Sequence, residues 1–123
     1  MVLLDTCALI ELYQFKSSLA LRTEDEIAKG AFILSVSFAE IALKEKRGLL
    51  KHPKSLDVFQ DCMESEEAKI INISVQEWFD AIHLDWKHKD PVDRLIVAYA
   101  KRQDVPIVTS DKLIKKYYKN VLW

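Results

Sequence analysis

Residues 90–111 read DPVDRLIVAYAKRQDVPIVTSD and contain a helix, a strand and an acid in that order. Pro91–Arg102 is the clearest predicted helix, because its apolar residues recur at helical spacing and Asp90 and Pro91 suit the N-cap and N1 positions. Pro106–Val108 is a short apolar run typical of a buried strand, and Asp111 follows it. A helix that leads into a new strand is the repeating unit of an α/β fold.

The same alternation continues along the whole chain. The predicted strands are Val2–Leu4, Ala31–Leu34, Ile70–Ile73, Pro106–Val108 and Val121–Trp123. The predicted helices are Thr6–Phe15, Leu19–Lys29, Ser37 to Gly48, Ser55–Glu64, Ser74–Trp86, Pro91–Arg102 and Asp111–Tyr118. We therefore expect residues 1–123 to form one α/β domain, with a mostly parallel sheet of about five strands and helices on both faces.

Composition excludes several classes of protein. The 123 residues are 50% hydrophobic, which argues against intrinsic disorder, and two cysteines make no disulfide framework. No apolar run approaches the ~20 residues that cross a bilayer, so we expect a cytoplasmic protein without membrane contact. The net charge of −1 does not indicate nucleic-acid binding, but basic residues cluster in segments 44–54 and 112–119. Those segments are compatible with a phosphate-rich ligand.

Four acids occupy related positions in this pattern. Asp5 directly follows one predicted strand, and Asp111 comes shortly after another. Glu40 lies in the first turn of the helix that follows a third strand, and Asp93 lies in the first turn of the helix that starts at Pro91. In an open parallel sheet, ligands bind outside the carboxyl ends of the strands, where the strand order reverses. We therefore expect one sheet to bring all four acids to a common cleft.

Helix capping is an alternative explanation for three of these acids. The segment Ser37–Glu40 fits a capping box, Asp93 is three residues after a predicted Asp N-cap, and Asp111 suits a helix entry. Asp5 fits this explanation less well, because its neighbours on both sides are apolar and burial of an unpaired carboxylate is costly.

A metal ion explains the four acids together. Close carboxylates repel one another unless protons or a cation join them, and oxygen ligands favour Mg²⁺ or Mn²⁺ over zinc. The three histidines show no zinc-ligand spacing. A divalent cation held by acids activates water and offsets phosphate charge, which suits phosphodiester hydrolysis.

At these residues the sequence resembles the PIN domain family, and within it the ribonuclease toxins of VapBC-type toxin–antitoxin modules. The matching segments are 3–6 (LLDT), 37–44 (SFAEIALK) with Gly48-Leu49, 88–98 (HKDPVDRLIVA) and 107–111 (IVTSD). They run through the whole chain in the family's order. The resemblance implies a three-layer α/β/α sandwich, and an endoribonuclease that is the toxin of a toxin–antitoxin pair.

Carried over residue by residue, the resemblance implies an acidic site of Asp5, Glu40, Asp93 and Asp111. Asp5, Asp93 and Asp111 would bind Mg²⁺ or Mn²⁺, and Glu40 would hold a second metal or orient water. Two threonines, Thr6 and Thr109, would hydrogen-bond the carboxylates. Asp90 is either a rival or a helper of Asp93 in the site, or else the N-cap of the helix that starts at Pro91. Cys7 and the lack of a further acid just beyond Asp111 depart from many relatives and leave the number of metals open.

The resemblance also implies partners: single-stranded or loop RNA, a cognate antitoxin and a second copy of the chain. Basic residues expected to hold RNA at the rim, or else only to aid solubility, are Lys44, Lys46, Arg47, Arg94, Lys112, Lys115 and Lys116. Apolar residues expected to flank an antitoxin groove, or else to belong to the core, are Leu9, Leu12, Tyr13, Phe15, Trp78 and Phe79. Two rival functions are a catalytically inactive RNA- or protein-binding PIN module and a phosphoacceptor signalling domain.

Overall fold

A computed structural model describes residues 1–123 as a five-stranded, fully parallel sheet with seven helices. The strands are β1 (Val2–Leu4), β2 (Ala31–Leu34), β3 (Ala68–Ile71), β4 (Ile107–Val108) and β5 (Val121–Leu122). The helices are α1 (Thr6–Glu11), α2 (Leu21–Lys29), α3 (Ser35–Lys46), α4 (Ser55–Glu64), α5 (Val75–Ile82), α6 (Pro91–Gln103) and α7 (Lys112–Tyr117). None of these helices has the length and apolar character needed to cross a membrane.

The sheet separates two hydrophobic cores, which makes the fold a three-layer α/β/α sandwich. Side chains of a strand alternate between faces, so Val2 and Leu4 pack into one core and Leu3 into the other. The first core also takes buried residues from α1, α3 and α4, and the second takes them from α5, α6 and α7. The predicted fold class is confirmed.

Strand order places a cleft beside β1. The order is β3-β2-β1-β4-β5, so β1 pairs with β2 on one side and with β4 on the other. The direction of winding therefore reverses at β1, which is the point where ligands bind in open α/β sheets. Asp5 follows β1 at this point.

Two predicted boundaries are wrong by more than two residues. The first helix ends at Glu11 rather than Phe15, whose side chain is fully exposed and has no core to pack against. The fifth helix ends at Ile82 rather than Trp86, because the Arg94 side chain binds the carbonyl groups that follow. These two ends depend on tertiary contacts rather than on the local pattern.

Two smaller shifts change which residues face one another. The third strand lies at Ala68–Ile71 instead of Ile70–Ile73, and it aligns Ile70 with Ile33 of β2. The third helix begins at Ser35 instead of Ser37, directly after β2. The other boundaries agree with the predicted ones within two residues.

Candidate functional site

A polar cleft of about 250 Å³ lies beyond the carboxyl ends of β1 and β4. It is lined by Asp5, Thr6, Cys7, Glu40, Lys44, Asp90, Asp93, Ser110 and Asp111. All four acids named from the sequence are in this set, together with Asp90. The expectation that one sheet brings these acids to a common cleft is confirmed; their catalytic and metal-binding roles stay predictions.

Asp5 is the most buried acid of the cleft, with 5% of its surface exposed. Contrary to the expectation that capping fits Asp5 less well, Asp5 is the N-cap of α1, and its Oδ1 accepts a 2.7 Å hydrogen bond from the Thr6 backbone N–H. Its Oδ2 accepts hydrogen bonds from the hydroxyl of Thr109 (2.7 Å) and the thiol of Cys7 (3.3 Å). Burial raises the pKa of Asp5 above its usual value, although these hydrogen bonds oppose the shift.

Glu40 is not part of a capping box. Since α3 begins at Ser35, Glu40 lies in the second turn, and its Oε1 accepts a hydrogen bond from the Thr6 hydroxyl. The same hydroxyl lies 3.0 Å from that of Ser37, which therefore supports Thr6 instead of capping the helix. Burial raises the pKa of Glu40, and the nearby carboxylates of Asp5 and Asp90 add to this.

Asp93 lies in the first turn of α6, and Asp90 is the N-cap that holds this turn. Asp90 Oδ1 accepts a 3.0 Å hydrogen bond from the Asp93 backbone N–H, as the capping interpretation predicted. Asp93 Oδ2 accepts a 2.6 Å hydrogen bond from His88 Nε2. Burial raises the pKa of Asp93 to about 6, with the carboxylates of Asp90, Asp5 and Asp111 adding to the shift and His88 opposing it.

Asp111 both caps a helix and lines the cleft. Its Oδ1 accepts hydrogen bonds from the backbone N–H groups of Leu113 (2.8 Å) and Ile114 (3.0 Å) at the start of α7. Its own N–H donates to Thr109 Oγ1 at 3.0 Å. Capping and a position in the cleft are therefore compatible for this residue. The expectation that Thr6 and Thr109 hydrogen-bond carboxylates is confirmed.

The donor chemistry of the cleft fits a hard divalent cation. No three His, Cys, Asp or Glu side chains stand close enough together to form a ready-made metal cluster. Mg²⁺ nevertheless needs only one or two carboxylates, because it keeps several of its water ligands. Burial raises the pKa values of Asp5, Glu40 and Asp93, the neighbouring carboxylates add to this, and a bound cation would relieve their repulsion.

His88 is a residue of the site that reasoning from zinc-ligand spacing missed. It is half-buried, and the Trp86 ring lies against it with the ring centroids 4.8 Å apart. Trp86 is in turn stacked on Tyr117 of α7 at 4.7 Å. The available signal was its position five residues before Asp93, within the segment that carries the strongest resemblance.

Arg94 does not lie free at the rim, so its expected role in holding RNA is wrong. Its guanidinium donates five hydrogen bonds to backbone carbonyl oxygens, which uses all of its N–H groups. The acceptors belong to Ala81, Ile82, Leu84, Trp86 and His88. Lys44, by contrast, lines the cleft and makes no ion pair with Glu40.

A second, apolar groove of about 440 Å³ lies beside α1, between α2 and α4. Leu9, Leu12 and Tyr13 line it, as expected for a groove on this helix, whereas Phe15 does not. Leu9 is buried in the core, but Leu12 is 37% exposed. Trp78 and Phe79 are exposed on α5, so the alternative that they are core residues is wrong.

No curated protein matches the sequence. The fold is similar to Mycobacterium tuberculosis VapC20, described as a sarcin-ricin loop cleaving toxin, at a TM-score of 0.72 and 13% identity over 96% of this chain and 95% of that one. It is also similar to FitAcB from Neisseria gonorrhoeae, at a TM-score of 0.55 and 18% identity over 100% of this chain and 97% of that one.

A third similar structure is FitAB bound to an IR36 DNA fragment, with a TM-score of 0.52 and 22% identity over 90% of this chain and 85% of that one. At such identities these likenesses concern the fold. The family is shown by the sequence itself, since the PIN domain model matches residues 2–120. The chain belongs to the PIN domain family.

Proposed function

We propose that this chain is a metal-dependent endoribonuclease that hydrolyses RNA phosphodiester bonds and acts as the toxin of a toxin–antitoxin pair. The observation that carries the proposal is the convergence of Asp5, Glu40, Asp93 and Asp111 on one cleft of a PIN domain. Burial and mutual repulsion raise the pKa values of Asp5, Glu40 and Asp93, which is typical of carboxylates arranged for a cation or for proton transfer.

Asp5, Asp93 and Asp111 are the residues proposed to hold Mg²⁺ or Mn²⁺. When bound, the cation supplies positive charge against the scissile phosphate and lowers the pKa of a water molecule. Thr109 fixes Asp5 Oδ2, and His88 fixes Asp93 Oδ2, so neither carboxylate rotates freely.

Glu40 is proposed to orient the attacking water and take its proton. Thr6 holds Oε1, while Oε2 makes no hydrogen bond within the chain and is the atom left for water. Burial raises the pKa of Glu40, which brings the carboxylate nearer to the value that suits a general base at neutral pH.

RNA is the proposed substrate, as a single strand or a loop. Lys44 lies in the cleft without an acidic partner, and exposed Lys112, Lys115 and Lys116 follow Asp111, so cations are available for phosphates on two sides. Unstacked bases of a loop can reach a shallow, partly open site that a duplex cannot enter. The description of VapC20 as a toxin that cleaves the sarcin-ricin loop supports this choice.

A cognate antitoxin and a second copy of the chain are the proposed protein partners, in the cytoplasm. The groove lined by Leu12 and Tyr13 is mostly hydrophobic and shares α1 with the acidic cleft. An antitoxin segment that occupies this groove would therefore lie next to the catalytic residues.

Metal binding tests the site directly. Mn²⁺ titration of the purified protein is expected to show binding that Asp5→Asn and Asp93→Asn each weaken. Asp25→Asn is the matched control, because Asp25 is an exposed acid on α2, outside the cleft. Equal Mn²⁺ affinity in all four proteins would overturn the assignment.

Growth tests the toxin role. Expression of the chain alone is expected to arrest growth, and Asp5→Asn is expected to relieve the arrest. Equal arrest by both forms would show that the acidic site is not its cause.

A further inference from the structure

Arg94 is the most heavily hydrogen-bonded side chain outside the acidic cleft. Nε donates to the carbonyl of Ala81 at 2.9 Å, and Nη2 donates to those of Ile82 at 3.1 Å and Leu84 at 2.8 Å. The Nη1 group donates to Trp86 O at 2.5 Å and to His88 O at 2.8 Å. No acid pairs with this half-buried cation, and backbone carbonyl oxygens accept all five of its N–H groups.

The five acceptors form the end of α5 and the segment that leads to α6. Ala81 and Ile82 belong to the last turn of α5, where carbonyl groups lack the usual helical N–H partner four residues ahead. The Ala81 carbonyl also accepts the Leu84 backbone N–H at 3.5 Å. A cation there also interacts favourably with the negative end of the helix dipole. Beyond the helix, Arg94 binds alternate residues and thereby fixes the path of the backbone as far as His88.

This path delivers His88 to the cleft. Arg94 binds the carbonyl of His88, and Trp86 packs on the imidazole ring of His88. The Nε2 of the same histidine donates to Asp93 Oδ2. Arg94 and Asp93 are neighbours in sequence on α6, so one turn of helix carries both the acid and the group that organises its hydrogen-bond donor. Asp93 Oδ1 makes no hydrogen bond within the chain and is the oxygen left to face a ligand.

We propose that Arg94 is a positioning residue, which sets His88 against Asp93 and so decides which Asp93 oxygen faces the cleft. The inference rests on the proposed function for its catalytic consequence, but the hydrogen bond it concerns exists without substrate. Lysine cannot replace arginine here, because an ammonium group has three donors and no planar fork to reach five carbonyl groups. The conservative variant Arg94→Lys is therefore the informative one.

The first readout is the His88 Nε2 proton in the ¹H NMR spectrum of the metal-free protein. A proton held between imidazole and carboxylate gives a downfield signal, and its loss in His88→Gln assigns it. We expect Arg94→Lys to lose or shift this signal. Arg102→Lys is the matched control, because Arg102 also joins α6 to α5, through Asp80, but does not contact the segment that carries His88.

The second readout is RNA cleavage at saturating metal. Arg94→Lys and His88→Gln are each expected to lower kcat by about tenfold or more with little change in KM, as for residues that orient a metal-binding carboxylate. The double variant is expected to be no slower than either single one, because both act through one hydrogen bond. Arg102→Lys should retain the wild-type kcat.

The outcomes separate the two claims. An unchanged His88 signal in folded Arg94→Lys, or multiplicative losses of kcat in the double variant, would overturn the positioning role. If Arg94→Lys does not fold, wild-type kcat in His88→Gln overturns it instead. A lost signal in Arg94→Lys, with a wild-type protein that cleaves no RNA, would support the positioning of His88 and contradict the proposed function.

Discussion

The Thr109 hydroxyl donates a 2.7 Å hydrogen bond to Asp5 Oδ2 and joins residues 104 positions apart in the chain. It also accepts the backbone N–H of Asp111 at 3.0 Å. One hydroxyl group therefore connects the end of β1, the end of β4 and two acids of the cleft. The contact exists because β1 and β4 are adjacent parallel strands, with Leu4 aligned to Val108.

Replacement of this hydroxyl should reduce both stability and cleavage. Thr109→Val leaves a buried Asp5 oxygen with one donor fewer, which we expect to cost about 1–3 kcal/mol of unfolding free energy. Cleavage of RNA should fall by about 10–100-fold, the range for residues that orient metal-binding carboxylates. Denaturant titration and single-turnover kinetics measure the two effects.

Thr23→Val is the matched control for this prediction. Thr23 is as buried as Thr109, and its hydroxyl donates to the Trp123 carbonyl at 3.0 Å, outside the cleft. It should lose stability and retain cleavage. A Thr109→Val protein that is destabilised to the same extent and still cleaves at the wild-type rate would contradict the role given to Thr109.

Asp90 should act through its cap rather than as a ligand. Asp90→Ala removes the acceptor for the Asp93 N–H and is expected to lower the unfolding free energy by about 0.5–2 kcal/mol. Asp90→Ser keeps a capping oxygen without the carboxylate, so it should retain stability and cleavage close to those of the wild-type protein. Loss of cleavage in a stable Asp90→Ser variant would instead make Asp90 part of the catalytic site.

The stability of the metal-free protein should fall as the pH rises from about 4 to 7, the interval set by the ordinary and folded pKa values of Asp93. The pKa of Asp93 is about 6 in the folded protein against an ordinary 3.8, and those of Asp5 and Glu40 are also raised. Folding favours the protonated forms of these three acids. Their contribution to stability is therefore complete at pH values below their ordinary pKa values, and it is lost as the pH rises past their folded-state pKa values. Asp93 alone accounts for a change on the order of 3 kcal/mol.

Chemical denaturation in chelator at several pH values measures this dependence. Asp93→Asn should flatten it and raise the unfolding free energy at pH 7, since it removes a charge from among neighbouring carboxylates. Mn²⁺ should restore stability to the wild-type protein at pH 7 by binding the folded state. Stability that stays level or rises between pH 4.5 and 7 would contradict the proposed repulsion among the acids.

Much of this fold was accessible from the sequence because β1, β2 and β4 are short, apolar and followed by a polar residue. The run Val2–Leu4 is fully buried, and the acid after it necessarily lies at the carboxyl edge of the sheet. The same logic located Asp111 after β4. Convergence of these acids needed only the parallel direction of the strands, which the alternation with helices already indicated.

The remainder depended on contacts between distant or irregular segments. The residues of the segment between α5 and α6 form few backbone hydrogen bonds with one another, and a side chain supplies their partners. No propensity or periodicity predicts that Arg94 turns back to bind carbonyl groups instead of facing solvent. The contact of His88 with Asp93 follows from that arrangement and was inaccessible for the same reason.

Local patterns also misled where a tertiary contact competed with them. The segment that contains Ser37 and Glu40 has the spacing of a capping box, but α3 begins two residues earlier and both side chains contact Thr6. At Ser74 and Glu77 the same pattern does form a capping box, because Ser74 is exposed, Glu77 is only partly buried, and no tertiary contact competes for their hydrogen bonds.

Cleavage of mixed cellular RNA tests the central claim most directly. Purified wild-type protein and Asp93→Asn, each free of antitoxin, are incubated with RNA and Mg²⁺, Mn²⁺ or chelator. We expect discrete fragments only from the wild-type protein with metal, and sequencing of their ends identifies the substrate. Fragments that persist in Asp93→Asn or in chelator, or no cleavage by folded wild-type protein under any condition, would contradict the central claim.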